Sequence, residues 1–422
     1  MPLDTPITMS KTGGPTTGSS EHLPLPAVKA EKPFSRWLDC FRWIAALAVV
    51  FAHTENRMLV RIMDVPGAQR SVPYYFVGFV AGFAHQAVMI FFVLSGYLVG
   101  GGLWKEAKKN KSIDLPIYLV KRISRLCIVL YPALLLIAVL NVIGIWAFNG
   151  LGAGIYPSGI LHSMGPAALA CNATFFNTAL CGSYGADGAL WSLFNEFWYY
   201  LVWPIALSGL LVSTPWKRAA LLATACLILF GLTALQFDGS PVGPYMLIWL
   251  LGVGIAEVRR PLVPSLPLSA VLFITGSLLV RLFVRLSYEE AHPVGLFFID
   301  LLVSALFANL LVTMKSAKSL PSPPGRDYNF ALASFSFSLY CIHTPILNLY
   351  AAAMRHYTGT GWKMIPSNAS QWGAVFGAIA ISVAIAFLFS RATEAHTGDL
   401  RAWLMKLLRL DNATRQPTVR FK

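Results

Sequence analysis

The stretch Arg36–His53, RWLDCFRWIAALAVVFAH, decides how the rest of the chain is organised. It is mostly apolar, yet it carries Asp39, Arg42 and His53. At ~1.5 Å per residue, Arg42 and His53 would lie about 16 Å apart along a helix, and at roughly 100° per residue they return to nearly the same face. Charged side chains are expensive to bury in lipid. This face is therefore expected to line the bundle interior or a wet cavity, which makes it a candidate functional site.

An alternative interpretation places these charges at the helix ends, in the two headgroup layers. That interpretation is favoured for Asp39, which lies near one end of the apolar run. Arg42 lies well inside the run, and for it the functional interpretation is favoured. Asp39 precedes Arg42 by one helical turn, a spacing that allows the two side chains to pair.

Composition extends the apolar pattern to the whole chain. Of its 422 residues, 56% are hydrophobic and 12% are charged, whereas a soluble protein carries roughly twice that charged fraction. The expected fold class is an all-α, multi-pass integral membrane protein, with the lipid bilayer as a partner. The net charge of +14 could indicate nucleic acid in a soluble protein. Because membrane proteins collect Lys and Arg in cytoplasmic loops, no nucleic acid partner is expected.

Apolar runs near the length of a membrane span predict about ten transmembrane helices. With both termini in the cytoplasm, 25 of the 33 Lys and Arg residues fall inside and 7 outside, as the positive-inside rule predicts. The predicted spans are roughly 36–54, 85–103, 123–147, 191–213, 218–236, 243–258, 265–284, 294–314, 329–353 and 371–390.

Three regions follow from these spans. Residues 1–33 are polar, rich in Gly, Pro, Ser and Thr, and are predicted to be a disordered cytoplasmic tail. Residues 34–397 form the predicted ten-helix membrane domain. Residues 398–422 form a basic cytoplasmic tail that begins with DLRAWLMKLLRL, where apolar residues recur at helical spacing. This pattern predicts an amphipathic helix on the inner membrane surface, with a partner protein as the weaker alternative.

The segment 148–190 is predicted to lie outside and contains no Lys or Arg. It holds Cys171 and Cys181, which are predicted to form a disulfide because oxidation is possible outside the cell. The alternative is a pair of free thiols. The spacing of the six Cys residues matches no metal site, and no metal is expected.

Two motifs belong to the second and third predicted spans. FFVLSG at 91–96 ends in Ser95 and Gly96, whose small size suits close helix packing or a ligand. Arg122 and Arg125 lie at the inner end of the third span. They either anchor the topology or bind phosphate, since guanidinium groups present a fork of donors that suits phosphate.

Two further motifs lie in later spans. WSLFNEF begins at Trp191 and places Glu196 near the outer edge, at a depth similar to that of His53. SLYCIHTP at 338–345 places His343 deep in the ninth span, as a structural hydrogen-bond donor or a second site residue. At the end of the tenth span, Arg391 and Glu394 have the spacing of an i,i+3 pair.

Together these motifs resemble the membrane acyltransferase family often called acyltransferase 3. The resemblance covers most of 36–394 and departs from the usual pattern at Cys341, where Leu is common. It implies an enzyme, an O-acyltransferase of the bacterial inner membrane that uses acyl-CoA, most simply acetyl-CoA, as co-substrate. It also implies a glycan or glycolipid acceptor, and the stand-alone type without the esterase-like domain that larger members carry.

The resemblance also implies roles for residues. His53 is expected to be the general base, with Glu196 orienting it, although a covalent acyl-His53 intermediate stays open. Arg42, Arg122 and Arg125 are expected to contact the coenzyme, with Arg42 as an alternative oxyanion donor. Ser95 is expected to bind the coenzyme beside them. The rival hypotheses are a transporter with a proton or ion path and a structural scaffold for glycan export.

Overall fold

The computed structural model describes residues 33–236, 242–284, 293–411 and 417–421. Within these ranges the protein is nearly all helix, which confirms the all-α class. The predicted disordered tail, 1–33, lies outside the described residues except for Pro33. The helices are α1 (Pro33–Met58), α2 (Val72–Ala81), α3 (Ala84–Ser95), α4 (Gly101–Asn110), α5 (Leu115–Trp146), α6 (Pro166–Ala173), α7 (Trp191–Leu211), α8 (Pro215–Leu235), α9 (Val242–Glu257), α10 (Leu266–Leu279), α11 (Pro293–Ser316), α12 (Arg326–Ser334), α13 (Ser336–Thr358), α14 (Ala369–Ala392) and α15 (Thr397–Leu407).

Each of the ten predicted spans falls on one or more of these helices. In the described part of the chain, six helical stretches are long and apolar enough to cross a membrane, or seven if the α12–α13 pair, bent by 56°, counts as one span. The number ten and the cytoplasmic placement of both termini stay predictions. The six stretches are Pro33–Met58, Val72–Asn110, Leu115–Trp146, Pro215–Leu235, Val294–Ser316 and Ala369–Leu407.

Helix α1 lies at the centre of the bundle. It contacts α2, α3, α12, α13 and α14, so most of its circumference is covered by other helices. Small and branched residues such as Ala45, Val49 and Val50 are buried along it, and they let the neighbouring helices approach closely. The polar residues Arg42 and His53 are half-buried on this central helix. The packing therefore places the side chains of Arg42 and His53 inside the bundle, as predicted.

Close backbone contact sets the position of the FFVLSG motif. The chain continues from α3 into a π-helical segment, Gly96–Gly100, that packs on α9. A Cβ at Gly96 would lie 1.9 Å from the carbonyl oxygen of Trp249, and a Cβ at Gly252 would lie 2.1 Å from that of Val93. Only glycine fits at either position, so small-residue packing is one role of this motif.

The segment between α5 and α7 is held by a covalent link. Cys171 and Cys181 form a disulfide, which confirms that prediction. Asn172 ties the loop together, since its Nδ2 donates to the Gly182 carbonyl and its Oδ1 accepts from the Tyr184 amide. Two 3-10 turns, Tyr184–Ala186 and Gly188–Leu190, then lead into α7.

The C-terminal region forms the predicted helix and then returns to the bundle. Helix α15 exposes Trp403, Leu407 and Leu408, which belong to its predicted apolar side. Beyond it, the short strand β2 (Val419–Arg420) pairs antiparallel with β1 (Ser112–Ile113), just before α5. The end of the chain is therefore held beside the start of the helix that carries Arg122 and Arg125.

Candidate active site

Three arginines from two helices line one cavity. Arg42 extends from α1, and Arg122 and Arg125 extend from α5. The cavity has an empty volume of about 910 Å³, including the part open to solvent. Glu196 and Ser95 line it as well, so the structure brings five of the six predicted site residues together. We call this space the arginine cavity. With three guanidinium groups and one carboxylate in its wall, it favours an anionic ligand.

Glu196 is held by hydrogen bonds inside the arginine cavity. Ser95 Oγ donates to Glu196 Oε1 at 2.6 Å, and the Tyr200 hydroxyl donates to the same oxygen. The Trp249 indole donates in turn to Ser95 Oγ at 3.1 Å. These contacts fix the carboxylate beside the arginines. Tyr200 was not predicted from the sequence, although its i+4 spacing from Glu196 places it on the same helical face.

Two of the three arginines pair with acidic side chains. Arg42 and Asp39 form the predicted pair, with Nη1 3.3 Å from Oδ1. Arg125 Nη2 lies 3.9 Å from Glu394 Oε1. Asp39 and Glu394 are not among the residues that line the cavity, so part of the charge balance comes from outside its lining.

The predicted pair between Arg391 and Glu394 is wrong. Glu394 Oε2 accepts hydrogen bonds from the Ser338 amide at 3.2 Å and the Ser338 hydroxyl at 2.9 Å, and its other oxygen lies near Arg125. Arg391 is exposed. The helix α14 ends at Ala392, so the two residues are not on one continuous helix and the i,i+3 geometry is lost.

His53 lies elsewhere on α1. Its ring packs edge-on against the ring of His343, with the two centroids 4.9 Å apart. Nδ1 of His53 is buried and has no hydrogen-bond partner among the residues that the structure describes. An imidazole nitrogen without a partner is free to accept a proton from a bound hydroxyl group.

The predicted pairing of Glu196 with His53 does not occur in this structure. In the described part of the chain, Glu196 bonds to Ser95 and Tyr200, whereas the ring neighbour of His53 is His343. Glu196 lies in the arginine cavity with Arg42, Arg122 and Arg125, where hydroxyl donors and positive charge surround its carboxylate.

His343 makes the structural hydrogen bond considered for it, and its role as a second site residue stays a prediction. Its Nδ1 lies 3.0 Å from the carbonyl oxygens of both Leu339 and Tyr340, so Nδ1 carries the hydrogen and donates. The Thr344 hydroxyl lies 3.4 Å from its Nε2. The backbone thus fixes the ring of His343, and that ring in turn packs against His53.

Tyr340 connects the two places. Its side chain lines the arginine cavity, and its ring centroid lies 6.2 Å from that of His343, one helical turn further along α13. Its hydroxyl donates to the Ala189 carbonyl at 2.6 Å and lies 2.6 Å from Ser192 Oγ. The arginine cavity and the histidine pair therefore adjoin across one side chain, which no sequence motif identified as part of a site.

The described residues contain no group of three His, Cys, Asp or Glu side chains that could hold a metal ion. The residues suited to a cofactor are the cationic ones in the arginine cavity. The arrangement provides an anion-binding wall, a carboxylate and an adjoining imidazole, which are parts that group transfer to a hydroxyl requires.

Comparisons with known proteins identify a family and a relative. A family model described as an acyltransferase domain matches residues 35–391. Peptidoglycan O-acetyltransferase OatA of Listeria monocytogenes serovar 1/2a (strain ATCC BAA-679 / EGD-e) is 26% identical to this chain over 319 residues, which are 66% of this chain and 47% of that protein. The chain thus spans about half the length of this curated relative. No solved structure matches it.

Proposed function

The chain belongs to the acyltransferase 3 family, and from that membership we propose that it moves an acetyl group from acetyl-CoA to a hydroxyl of a glycan or glycolipid. One observation carries the proposal. Arg42, Arg122 and Arg125 converge on a single cavity that adjoins the His53–His343 pair through Tyr340. An anionic donor and a hydroxyl acceptor need such neighbouring but chemically different sites.

The donor is assigned to the arginine cavity. Coenzyme A carries phosphates, and arginine forks bind phosphate in a defined orientation. Arg42 and His53 are about 16 Å apart along α1, so the phosphates and the thioester lie at different depths and the pantetheine arm spans the difference. Ser95 lies in the wall of the same cavity as a further contact for the coenzyme.

The chemical step is assigned to His53. Its Nδ1 takes the proton of the acceptor hydroxyl while the hydroxyl oxygen attacks the thioester carbonyl. The new carbon–oxygen bond forms, the carbon–sulfur bond breaks, and coenzyme A leaves as a thiolate that receives the proton from His53. His343 limits rotation of the His53 ring, the function that sequence had assigned to Glu196. Glu196 balances the charge of the arginine cavity.

Orientation in the membrane follows from the proposed donor and acceptor. Coenzyme A is cytosolic, and the basic residues near the arginine cavity fall in segments predicted to be inside. The disulfide between Cys171 and Cys181 supports an oxidising environment for the segment 148–190. We therefore place both tails in the cytoplasm and 148–190 outside, in the inner membrane of a bacterium.

Transfer by the purified protein tests the proposal. The full chain is placed in lipid nanodiscs and incubated with acetyl-CoA labelled in the acetyl group and with chitotetraose, a soluble stand-in for a glycan strand. The expected products are free coenzyme A and an alkali-labile acetyl ester on the sugar. The His53→Ala protein serves as the inactive control.

The rival hypothesis, a transporter, predicts a different result. Proteoliposomes loaded with chitotetraose would then accumulate or release a solute or protons without forming an ester. Wild-type protein that is folded and leaves the thioester of acetyl-CoA intact in the presence of the glycan would contradict the proposed acyltransferase activity.

A further inference from the structure

A second group of polar residues lies around the His53–His343 pair, on the side away from the arginine cavity. It combines two residues of α1, one residue of α13 and two residues of the segment 148–190. We call it the outer polar cluster. Each member has a buried polar atom with no hydrogen-bond partner among the described residues. These atoms are His53 Nδ1, Arg57 Nε, the Tyr156 hydroxyl, Asp187 Oδ2 and Asn348 Oδ1.

Contacts show that the outer polar cluster is one place in the fold. His53 and Arg57 lie one turn apart on α1, and Arg57 interacts electrostatically with both His53 and His343. Arg57 interacts in the same way with Asp187 and Tyr156.

Helix α13 closes the other side of the cluster. Thr344, next to His343, lies close enough to Asp187 to affect the pKa of its carboxyl group. Asn348 follows Thr344 by one turn on the same face of α13. Ala352, one turn further, packs in the same apolar cluster as Tyr156.

Burial makes these unpaired atoms costly. Asp187 is 1% exposed, and Tyr156 and Asn348 are each 3% exposed. A buried polar group without a partner destabilises a fold, and most such groups in native proteins are paired. Folding alone does not explain why several accumulate around one histidine, whereas a ligand that supplies their partners does.

The kinds of atom define the ligand. Arg57 Nε can only donate, Asn348 Oδ1 can only accept, and the Tyr156 hydroxyl can do either. A sugar hydroxyl both donates and accepts, so a ring with several hydroxyls can satisfy such a mixed set. A phosphate would suit Arg57 but would meet the carboxyl group of Asp187. The set therefore favours a neutral polyhydroxylated ligand.

We propose that the outer polar cluster is the acceptor site, where one sugar unit is held through its hydroxyls and the hydroxyl to be acylated lies at Nδ1 of His53. The inference rests on the proposed function and deepens it, since it assigns Arg57, Tyr156, Asp187 and Asn348 to recognition of the acceptor. The arginine cavity then serves only the donor.

Two nearly isosteric variants test the assignment. Tyr156→Phe removes only the unpaired hydroxyl. Asp187→Asn keeps Oδ1 as the acceptor for the Ala189 amide and changes Oδ2, the unpaired atom. In nanodiscs with saturating acetyl-CoA, each variant is expected to raise KM for chitotetraose about three- to tenfold, the value of one lost hydrogen bond. KM for acetyl-CoA is expected to stay unchanged.

Thermal stability separates binding from a structural role. Because the Tyr156 hydroxyl has no hydrogen-bond partner in the described part of the chain, its removal is expected to leave the Tm unchanged or to raise it. Tyr357→Phe and Asp64→Asn, at exposed positions, are the matched controls and are expected to match wild type in every measurement.

Each other outcome has a definite meaning. A lower Tm in both variants with unchanged KM for chitotetraose would assign the cluster to folding and overturn the inference. The inference would also be overturned if wild-type protein released coenzyme A at a rate that does not saturate with chitotetraose. In that case the proposed acyltransferase function would still stand. A wild-type protein that does not turn over acetyl-CoA would overturn the proposed function itself.

Discussion

The arginine cavity and the outer polar cluster share helix α1, yet they satisfy their polar groups in different ways. In the arginine cavity, Arg42 pairs with Asp39, and Glu196 accepts from two hydroxyls. In the outer polar cluster, atoms such as His53 Nδ1 and Asp187 Oδ2 are buried without partners among the residues that the structure describes. The first site pairs most of its charged groups internally, with Arg122 Nε as an unpaired exception, and the second leaves more bonds for a ligand to complete.

This difference has a physical reason. A charged group in an apolar bundle must be paired or wet, because the cost of an unpaired buried charge is large. A single unpaired hydroxyl or imidazole nitrogen costs much less. The bundle can therefore keep neutral unpaired groups such as His53 Nδ1 and the Tyr156 hydroxyl ready for a hydroxyl acceptor, whereas Arg42 and Arg125 of the arginine cavity have acidic partners.

The largest expected effect is that of His53→Ala. It removes the group that moves the proton, so kcat is expected to fall by about 10²–10⁴-fold. The affinity for acetyl-CoA, measured by equilibrium binding, is expected to stay unchanged because His53 does not line the arginine cavity. His356→Ala, at an exposed position on the same side, is the control. If a folded His53→Ala protein turned over its substrates at the wild-type rate, the proposed mechanism would be wrong.

Substitution of the cavity arginines is expected to have the opposite kinetic signature. Arg122→Ala removes a charge-assisted phosphate contact, so KM for acetyl-CoA is expected to rise about ten- to a hundredfold. Because the contact is made before and during the reaction, kcat is expected to change less. Arg125→Ala is expected to behave alike and also to leave Glu394 without its nearest cation.

Arg260→Ala, an exposed residue outside the cavity, is the control for these variants. If Arg122→Ala and Arg125→Ala both show the wild-type KM for acetyl-CoA, these arginines only anchor the membrane topology. The contrast between a donor site in the arginine cavity and an acceptor site in the outer polar cluster would then disappear.

Glu196→Gln is expected to have a smaller effect, about tenfold or less in kcat/KM. The amide oxygen still accepts from Ser95 and Tyr200, and only the negative charge among the arginines is lost. Steady-state kinetics with both substrates measure it. A loss as large as that of His53→Ala would mean that Glu196 takes part in proton transfer, beyond the orienting role that the sequence predicted.

The smallest expected effect is on the pH dependence of stability. Burial raises the pKa of the Asp187 carboxyl from 3.8 to about 7, although the nearby Thr344 side chain, a hydrogen bond from Ala189 and the charge of Arg57 oppose the rise. The folded protein therefore binds this proton more tightly than the unfolded chain. The resulting stabilisation is complete below pH 3.8 and is lost as the pH rises through about 7.

Scanning calorimetry at several pH values checks this expectation. Between these two pH values the Tm of wild type is expected to fall more steeply than that of Asp187→Asn, which cannot titrate at this position. Asp64→Asn, at an exposed position, is expected to follow wild type. Identical pH profiles for wild type and Asp187→Asn would show that the carboxyl is already ionised and paired, and the outer polar cluster would lose one of its unpaired atoms.

The sequence determined much of this protein by local rules. The apolar period of Arg36–His53 placed Arg42 and His53 on a central helix, and short motifs identified Ser95, Glu196 and the two α5 arginines. These features can be read locally because a helix in lipid satisfies its own backbone, so each span is recognisable without its neighbours. The disulfide was predictable as well, since both cysteines lie in one short loop.

Only the tertiary structure decided which helices meet. The position of a residue along its own helix does not fix its lateral neighbours, and the contact between α3 and α7 placed Glu196 beside Ser95 and the arginines and not beside His53. The outer polar cluster has no motif, because Arg57, Tyr156, Asp187 and Asn348 come from distant parts of the chain. Whether a polar atom has a partner depends on lateral packing over the whole bundle, and periodicity along one helix carries no information about it.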